Sequence, residues 1–416
     1  MTDEVVRSET KCCVVGGGPA GVVLALLLAR KGVRVTLLEA QPDFDRDFRG
    51  DTLHPSVLEL MDELGLTERL HELPHTKIHT GTIMTTGGAT TLADFRRLRT
   101  RFPYIMMLPQ KDFLAFAVEE ARKYPCFELI MGALVGELID EGGAVRGVRY
   151  EKDGVRHELR ADLTVGADGR GSRVRHLGGF EMRKTSPPMD VVWFRVPRRV
   201  EDPSGGVAYF GAGREVVMLD RGSQWQVASL IAKGSFARVR AEGLEEFRRG
   251  LASAVPRFAD RFETLTNWKQ VSSLSVESSR VTRWHRPGLL LIGDAAHVMS
   301  PVGGVGINYA IQDAVVAANV LARPLLEGAL MDRDLREVQR QREWPTRLIQ
   351  TLQTQIQKRL IAAALKPNKT FRVPLSLRLL LRLPLLRNLP ARIIGIGLRR
   401  VHVNYSGRCL YTPTSV

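Results

Sequence analysis

The chain has 416 residues, 44% of them hydrophobic, enough apolar side chains for packed cores and too many for a chain that stays unfolded. Its formal charge is +15, but no Asp or Glu follows Glu343, and residues 344–416 alone carry 13 Lys or Arg. The remainder is close to neutral, which argues against a nucleic-acid-binding body and confines the basic character to the C-terminal segment. The four cysteines, Cys12, Cys13, Cys126 and Cys409, show no paired spacing. Neither a disulfide framework nor a zinc site is expected, and a reducing cytoplasm fits. Met1-Thr2-Asp3-Glu4 does not read as a secretory leader, and no apolar run reaches the roughly 18 to 20 residues of a membrane span.

In chain order, residues 11–15 predict a strand, Val22–Arg30 an apolar helix and Val33–Glu39 a second strand, a β-α-β unit. Residues 55–64 and 111–123 predict helices, and 145–166 a hairpin feeding a strand at Leu163–Gly166. From about 181 to 281 short β-like runs (Val191–Val196, Val216–Leu219, Gln226–Ile231) alternate with Gly and Pro turns, interrupted by one helical pattern near 243–254. This predicts a largely antiparallel sheet inserted as a second domain. A buried strand returns at 289–293, a helix follows at 306–322, and Leu348, Leu352, Ile356 and Leu360 mark an apolar helical stripe within 345–365.

Chemistry concentrates in three places. Gly16-Gly17-Gly18-Pro19-Ala20-Gly21 lies between the first strand and its helix, the context that gives a GxGxxG pattern meaning. Gly16 would make the tight turn, Gly18 would let backbone N–H groups approach a pyrophosphate, and Gly21 would let helix and strand pack closely. Glu39, at the end of the second strand, is placed to accept from a ribose 2′-OH, which favours FAD or NAD over NADP in this site. The second feature is Gly166-Ala167-Asp168-Gly169, a strand running into an Asp-Gly turn and a basic segment. The third is Leu291-Ile292-Gly293-Asp294, a carboxylate at a strand C-terminus, where open α/β sheets bind ligands, followed by the Pro301-to-Asn308 glycine loop that opens a helix. That helix N-terminus would stabilise negative charge on an electron-accepting ring.

These elements, in this order, resemble the single-component flavoprotein monooxygenases, the aromatic hydroxylases that include para-hydroxybenzoate hydroxylase and the ubiquinone-biosynthesis hydroxylases. The resemblance spans roughly residues 10–325. It implies an α/β fold: a Rossmann-like FAD-binding domain (1–75, 100–180 and 282–343), an inserted mainly antiparallel sheet for substrate (76–99 and 181–281), and C-terminal helices (344–416). It implies FAD contacts at Gly16, Gly18, Gly21, Glu39, Asp168 and Asp294. Arg49, in Phe48-Arg49-Gly50-Asp51, and Gln110, in Leu108-Pro109-Gln110, match further cofactor-contacting positions of the family. Pro301, Gly306, Ile307 and Asn308 would lie against the flavin ring, with Pro301 and Arg49 nearest the chemistry.

The implied activity is hydroxylation or epoxidation of a small apolar aromatic or polyketide-like substrate with NADH or NADPH and O2, through a flavin hydroperoxide that the protein shields from water. Trp193, Tyr209, Phe210 and Met218 are candidates for the substrate pocket or for ordinary sheet packing. His54 and His297 are candidates for a substrate contact or for core and capping roles. The alternatives are a flavin-dependent reductase of isoprenoid chains and a flavin-binding protein without turnover. The Trp-x-Trp-x-Ile-Pro halogenase pattern is only partly echoed by Trp193-Phe194-Arg195-Val196-Pro197. The Leu/Arg-rich C-terminus, with Arg378, Arg382, Arg387, Arg392, Arg399 and Arg400, suggests either a peripheral membrane contact or helices packed on the body. No nucleic acid motif is present, and the sequence does not specify an oligomeric state.

Overall fold

The computed structural model describes residues 5–45, 51–211, 213–361, 373, 375–383 and 386–404. The first strand, Val6–Val15, is the middle of a parallel sheet. Its neighbours run in the order Leu289–Leu291, Val155–Gly166, Val6–Val15, Val35–Glu39, Phe127–Met131. Strands covered on both faces need apolar side chains at successive positions, and Cys12, Cys13 and Val14 are fully buried. The antiparallel strands Leu134–Glu141, Ala144–Lys152 and His285–Arg286 complete this sheet. The hairpin expected at 145–166 is present, but its second arm is one unbroken strand from Val155 to Gly166. Phe127–Met131 has no counterpart among the sequence expectations, because its run is short and lacks clear alternation.

Helix Pro19–Arg30 is buried at every position from Ala20 to Ala29, as an apolar helix between a sheet and other helices must be. It packs against Gln110–Arg122 and Gly306–Glu327. The latter is long and apolar enough to cross a membrane, but 78% of its apolar window is buried in this core.

A second sheet runs Ser272–Leu274, Met189–Pro197, Gln224–Ala232, Arg214–Asp220, Gly206–Gly211, Thr80–Thr85, Gly88–Asp94. It is antiparallel except where Thr80–Thr85 pairs with Gly206–Gly211. Period-two alternation gives it two different faces. Val192, Phe194, Val216, Met218 and Trp225 pack under Phe247, Leu251, Phe258 and Phe262 of the covering helices. Val191, Ala228, Leu230 and the half-buried Trp193 and Val217 face the other way, toward Val302 and Ile361. The four pocket candidates therefore divide between the two faces. Met218 and Tyr209 belong to the helix-covered core, while Trp193 and Phe210 lie on the opposite face.

The C-terminal region also departs from expectation. Its long helix begins at Asp332, before the predicted stripe, and runs through Pro345 to Ile356. The buried face is Leu335, Val338, Arg342, Thr346, Ile349, Gln350 and Gln353, whereas Leu348 and Ile356 are exposed. Polar side chains occupy the buried face because they have partners there, described below. Farther on, Ala391 is fully buried against Phe95 and Ile105, so this part of the tail is packed onto the body.

Candidate active site

Gly16, Gly18 and Gly21 each meet a different constraint. Gly16 has a φ of +107°, and a Cβ there would lie 2.6 Å from the carbonyl oxygen of Ala167 and from Asp168 Cα. At Gly21 a Cβ would lie 1.9 Å from the carbonyl oxygen of Gly16, so only glycine lets the helix approach the turn. At Gly18 nothing lies closer than 4.0 Å, which leaves open space at the helix N-terminus. Beside it, Glu39 is buried, and its carboxylate accepts from Gly17 N at 2.6 Å and Gln41 N at 2.9 Å.

The three motifs meet at one end of the parallel sheet. Val15 is in register with Gly166, and Gly166 with Leu291, so the strands carrying them end side by side. Gly293 sits so close to the first helix that a Cβ would be 3.0 Å from Ala20 Cβ. Asp294 is partly exposed there and pairs with Arg170 at 3.4 Å.

The structure assigns Asp168 an internal task. One carboxylate oxygen accepts from Ser172 Oγ and the other from Val174 N at 3.0 Å. Asp168 thereby holds the start of the short helix Arg173–Leu177. Arg175, overlooked in the sequence, reaches from that helix to the carbonyl oxygen of Ala295 at 3.0 Å and to that of Arg170 at 2.6 Å. It ties the second motif to the third. The run of basic residues around it hid this one buried arginine.

The Pro301-to-Asn308 region is held from two sides. Asn308 accepts from His54 N at 2.8 Å, and its amide donates toward the carbonyls of Thr52 and Gly304. Gln350, Gln353 and Gln357 project from the C-terminal helical region at roughly one-turn intervals. Gln350 donates to the carbonyls of Ser279 and Val298, Gln353 to those of Ser300 and Val302 at 2.9 and 2.8 Å, and Gln357 to Ser300 Oγ. This glutamine ladder fixes the loop containing Pro301. Its helical spacing was visible in the sequence, but polar residues do not announce a buried face. Gly306 and Ile307 open the following helix as expected.

Behind the Gly-Asp corner, Asp313 is fully buried and accepts from Gly293 N at 3.0 Å, His297 Nε2 at 2.6 Å and Arg342 Nε at 2.7 Å. Burial opposes its charge, but His297 and Arg342 outweigh burial and keep its carboxyl below the ordinary range. His297 is thus a core residue. His54 is also fully buried, bonded through Nδ1 to the carbonyl of Ile394, and burial lowers its pKa to about 4. Gln110 begins its helix, and its N–H donates to Asp51 at 3.1 Å. Asp51 also forms a nearly buried ion pair with Arg221 of the second sheet's turn at 3.0 Å. Arg49 lies outside the described residues.

These features fit an extended dinucleotide. There is a glycine cradle with space at Gly18, a buried acid at Glu39 and a partly exposed carboxylate at Asp294 on the same sheet end. The FAD binding domain family matches residues 9–344. The chain belongs to this family. The flavoprotein is 35% identical over 396 residues to a 6-methylpretetramide 4-monooxygenase of Streptomyces rimosus, covering 93% of this chain and 92% of the relative. It is 32% identical to a rifampicin monooxygenase of Streptomyces venezuelae, over 72% of this chain and 61% of that longer relative. Among solved structures, the OxyS anhydrotetracycline hydroxylase of Streptomyces rimosus aligns with a TM-score of 0.76 at 24% identity, over 96% of this chain and 78% of that one. The flavin-dependent brominase Bmp2 aligns at 0.77 with 16% identity, over 94% of each chain, a likeness of fold alone. By family and by its near-full-length relative, the flavoprotein is a monooxygenase with FAD as its cofactor.

Proposed function

We propose that the flavoprotein uses NADH or NADPH and O2 to hydroxylate or epoxidise an aromatic polyketide-like substrate with fused rings. The apolar inner face of the second sheet, directed at Val302 of the flavin-side loop, carries this reading. The relatives named for 6-methylpretetramide and for anhydrotetracycline support the substrate class. None of the relatives named here is a reductase of isoprenoid chains or a binding protein without turnover, so neither alternative gains support.

In this reading residues 1–75, 100–180 and 282–343 bind FAD, 76–99 and 181–281 form the substrate side, and the described part of the basic segment 344–416 packs against both. Backbone N–H groups around Gly16, Gly18 and Gly21 hold the pyrophosphate, Glu39 the adenosine ribose, and Asp294 the sugar-alcohol chain. Asp168 acts by shaping the adjoining turn. Gln110 borders the cofactor, and Arg49 keeps a cofactor role on the family resemblance alone. Pro301, with the helix start at Gly306, Ile307 and Asn308, faces its ring, where N–H dipoles favour added negative charge. When bound, FAD carries electrons from the nicotinamide to oxygen. The chain's own work is to orient the ring and the substrate and to exclude water.

The test is substrate-stimulated NAD(P)H oxidation by the FAD-loaded protein across a panel of polyphenols that includes 6-methylpretetramide and anhydrotetracycline. A product with one added oxygen atom is expected. Oxidation that no panel member stimulates refutes the reading. A peripheral membrane role for the tail draws support from Leu375, Leu379 and Leu383, exposed at four-residue intervals beside the exposed Arg382. Co-sedimentation with anionic phosphatidylglycerol vesicles, lost on changing the three leucines to Ser, tests it.

A further inference from the structure

The inner face of the second sheet is apolar at Val191, Ala228 and Leu230, yet three buried polar atoms on it lack a hydrogen-bond partner among the described residues. They are Glu215 Oε2, Trp193 Nε1 and Gln226 Oε1. Strand pairing places all three on this side. Glu215 is opposite Leu230, Trp193 is opposite Ala228, and Gln226 is opposite Leu219. Alternation sends their chain neighbours Val216, Val192, Trp225 and Val227 to the helix-covered core.

An unpartnered polar atom in an apolar surrounding is costly, and such groups call for an explanation. Three on one face, beside Val302, are explained together by a ligand that supplies the missing partners. They stand on three adjacent strands, in rows roughly 7 Å apart along the strand direction, so they are spread across the face rather than set in one line.

We propose that Glu215 is a specificity-determining residue of the substrate site and, with Trp193 and Gln226, reads the oxygen pattern of a hydroxylated, keto-bearing fused-ring aromatic. This rests on the polyketide reading above and deepens it. Burial pushes the Glu215 carboxyl up to about 8, so near neutral pH it is mainly a neutral acid able to donate as well as accept. Its O–H donates to a keto oxygen. Trp193 Nε1–H donates to a second oxygen, since an indole can only donate, and Gln226 Oε1 accepts from a phenol O–H. The site therefore selects a substrate with two acceptor oxygens and a hydroxyl at separate points of its periphery, and it disfavours a plain hydrocarbon.

The experiment is an anaerobic titration of the FAD-loaded protein with 6-methylpretetramide, followed by the change in flavin absorbance. Glu215→Leu is expected to weaken binding by about tenfold or more, while Glu215→Gln, which keeps a donor and an acceptor, stays within about threefold. FAD content and melting temperature of Glu215→Leu should be no lower than wild type, because the change removes a desolvated carboxyl from an apolar face. Wild-type affinity in a folded, FAD-loaded Glu215→Leu variant overturns the assignment and leaves the polyketide reading standing. If neither 6-methylpretetramide nor any other panel polyphenol perturbs the wild-type flavin, the polyketide reading falls and takes this inference with it.

Discussion

Gly18 and Gly21 stand three residues apart in one motif, yet a single methyl group should affect them through different physics. At Gly21 an added Cβ would sit 1.9 Å from the Gly16 carbonyl oxygen, a backbone atom that cannot rotate away. Alanine gains about 1 kcal/mol of helix propensity there. Overpacking costs about 1–3 kcal/mol or more, and such a close backbone contact belongs at the upper end, so Gly21→Ala should destabilise the protein itself. At Gly18 the nearest atom to a Cβ is 4.0 Å away, and φ is −78°, comfortable for alanine. Gly18→Ala should cost at most about 1 kcal/mol, the difference between Gly and Ala at a helix N-cap. In the proposed cofactor site its methyl group would instead occupy the open space assigned to the pyrophosphate. Loss of one or two charge-assisted hydrogen bonds, at about 1.5–3 kcal/mol each, weakens FAD by at least about tenfold. Urea unfolding of the apoproteins and FAD titration of each separate the two effects. A Gly18→Ala protein that binds FAD like wild type, or a Gly21→Ala apoprotein as stable as wild type, would refute the reasoning.

Three further outcomes follow from the buried network around the site. Arg342→Met leaves Asp313 without its guanidinium partner in a fully buried position, and should lower unfolding stability by about 3–5 kcal/mol in urea titration. Gln353→Leu removes two bonds to the Ser300 and Val302 carbonyls; the protein should retain FAD but release more hydrogen peroxide per NAD(P)H consumed, measured with a peroxidase-coupled dye, because the loop at Pro301 is less firmly held. His54 has an ordinary pKa of 6.5 in the unfolded chain and about 4 in the folded one, so the unfolded state binds the extra proton between those values. Its contribution is present in full above about pH 6.5 and is lost as pH falls to about 4, a total near 3 kcal/mol. Urea midpoints of wild type and His54→Gln across that range should show a flatter dependence for the variant, and parallel curves would exclude His54 as a source of acid sensitivity.

The β-α-β unit, the glycine spacing, Glu39 and the Gly-Asp corner were legible in the sequence because their signals are local. A strand, a turn and a helix start are each specified by a few adjacent residues, and an apolar helix such as Pro19–Arg30 declares its burial at every position. The alternation of the second sheet was also readable, but not which side would be covered. Met218 and Tyr209 are as apolar or aromatic as Trp193 and Phe210, and only the placement of the 244–262 helices separates them.

Tertiary structure likewise recruited Arg175 to the Ala295 carbonyl, and buried Gln350 and Gln353 while leaving Leu348 exposed. Periodicity reports how apolar each face of an element is. A polar side chain becomes buried when distant backbone carbonyls or carboxylates satisfy it, and those partners, tens to hundreds of residues away in the chain, are set by how the elements pack.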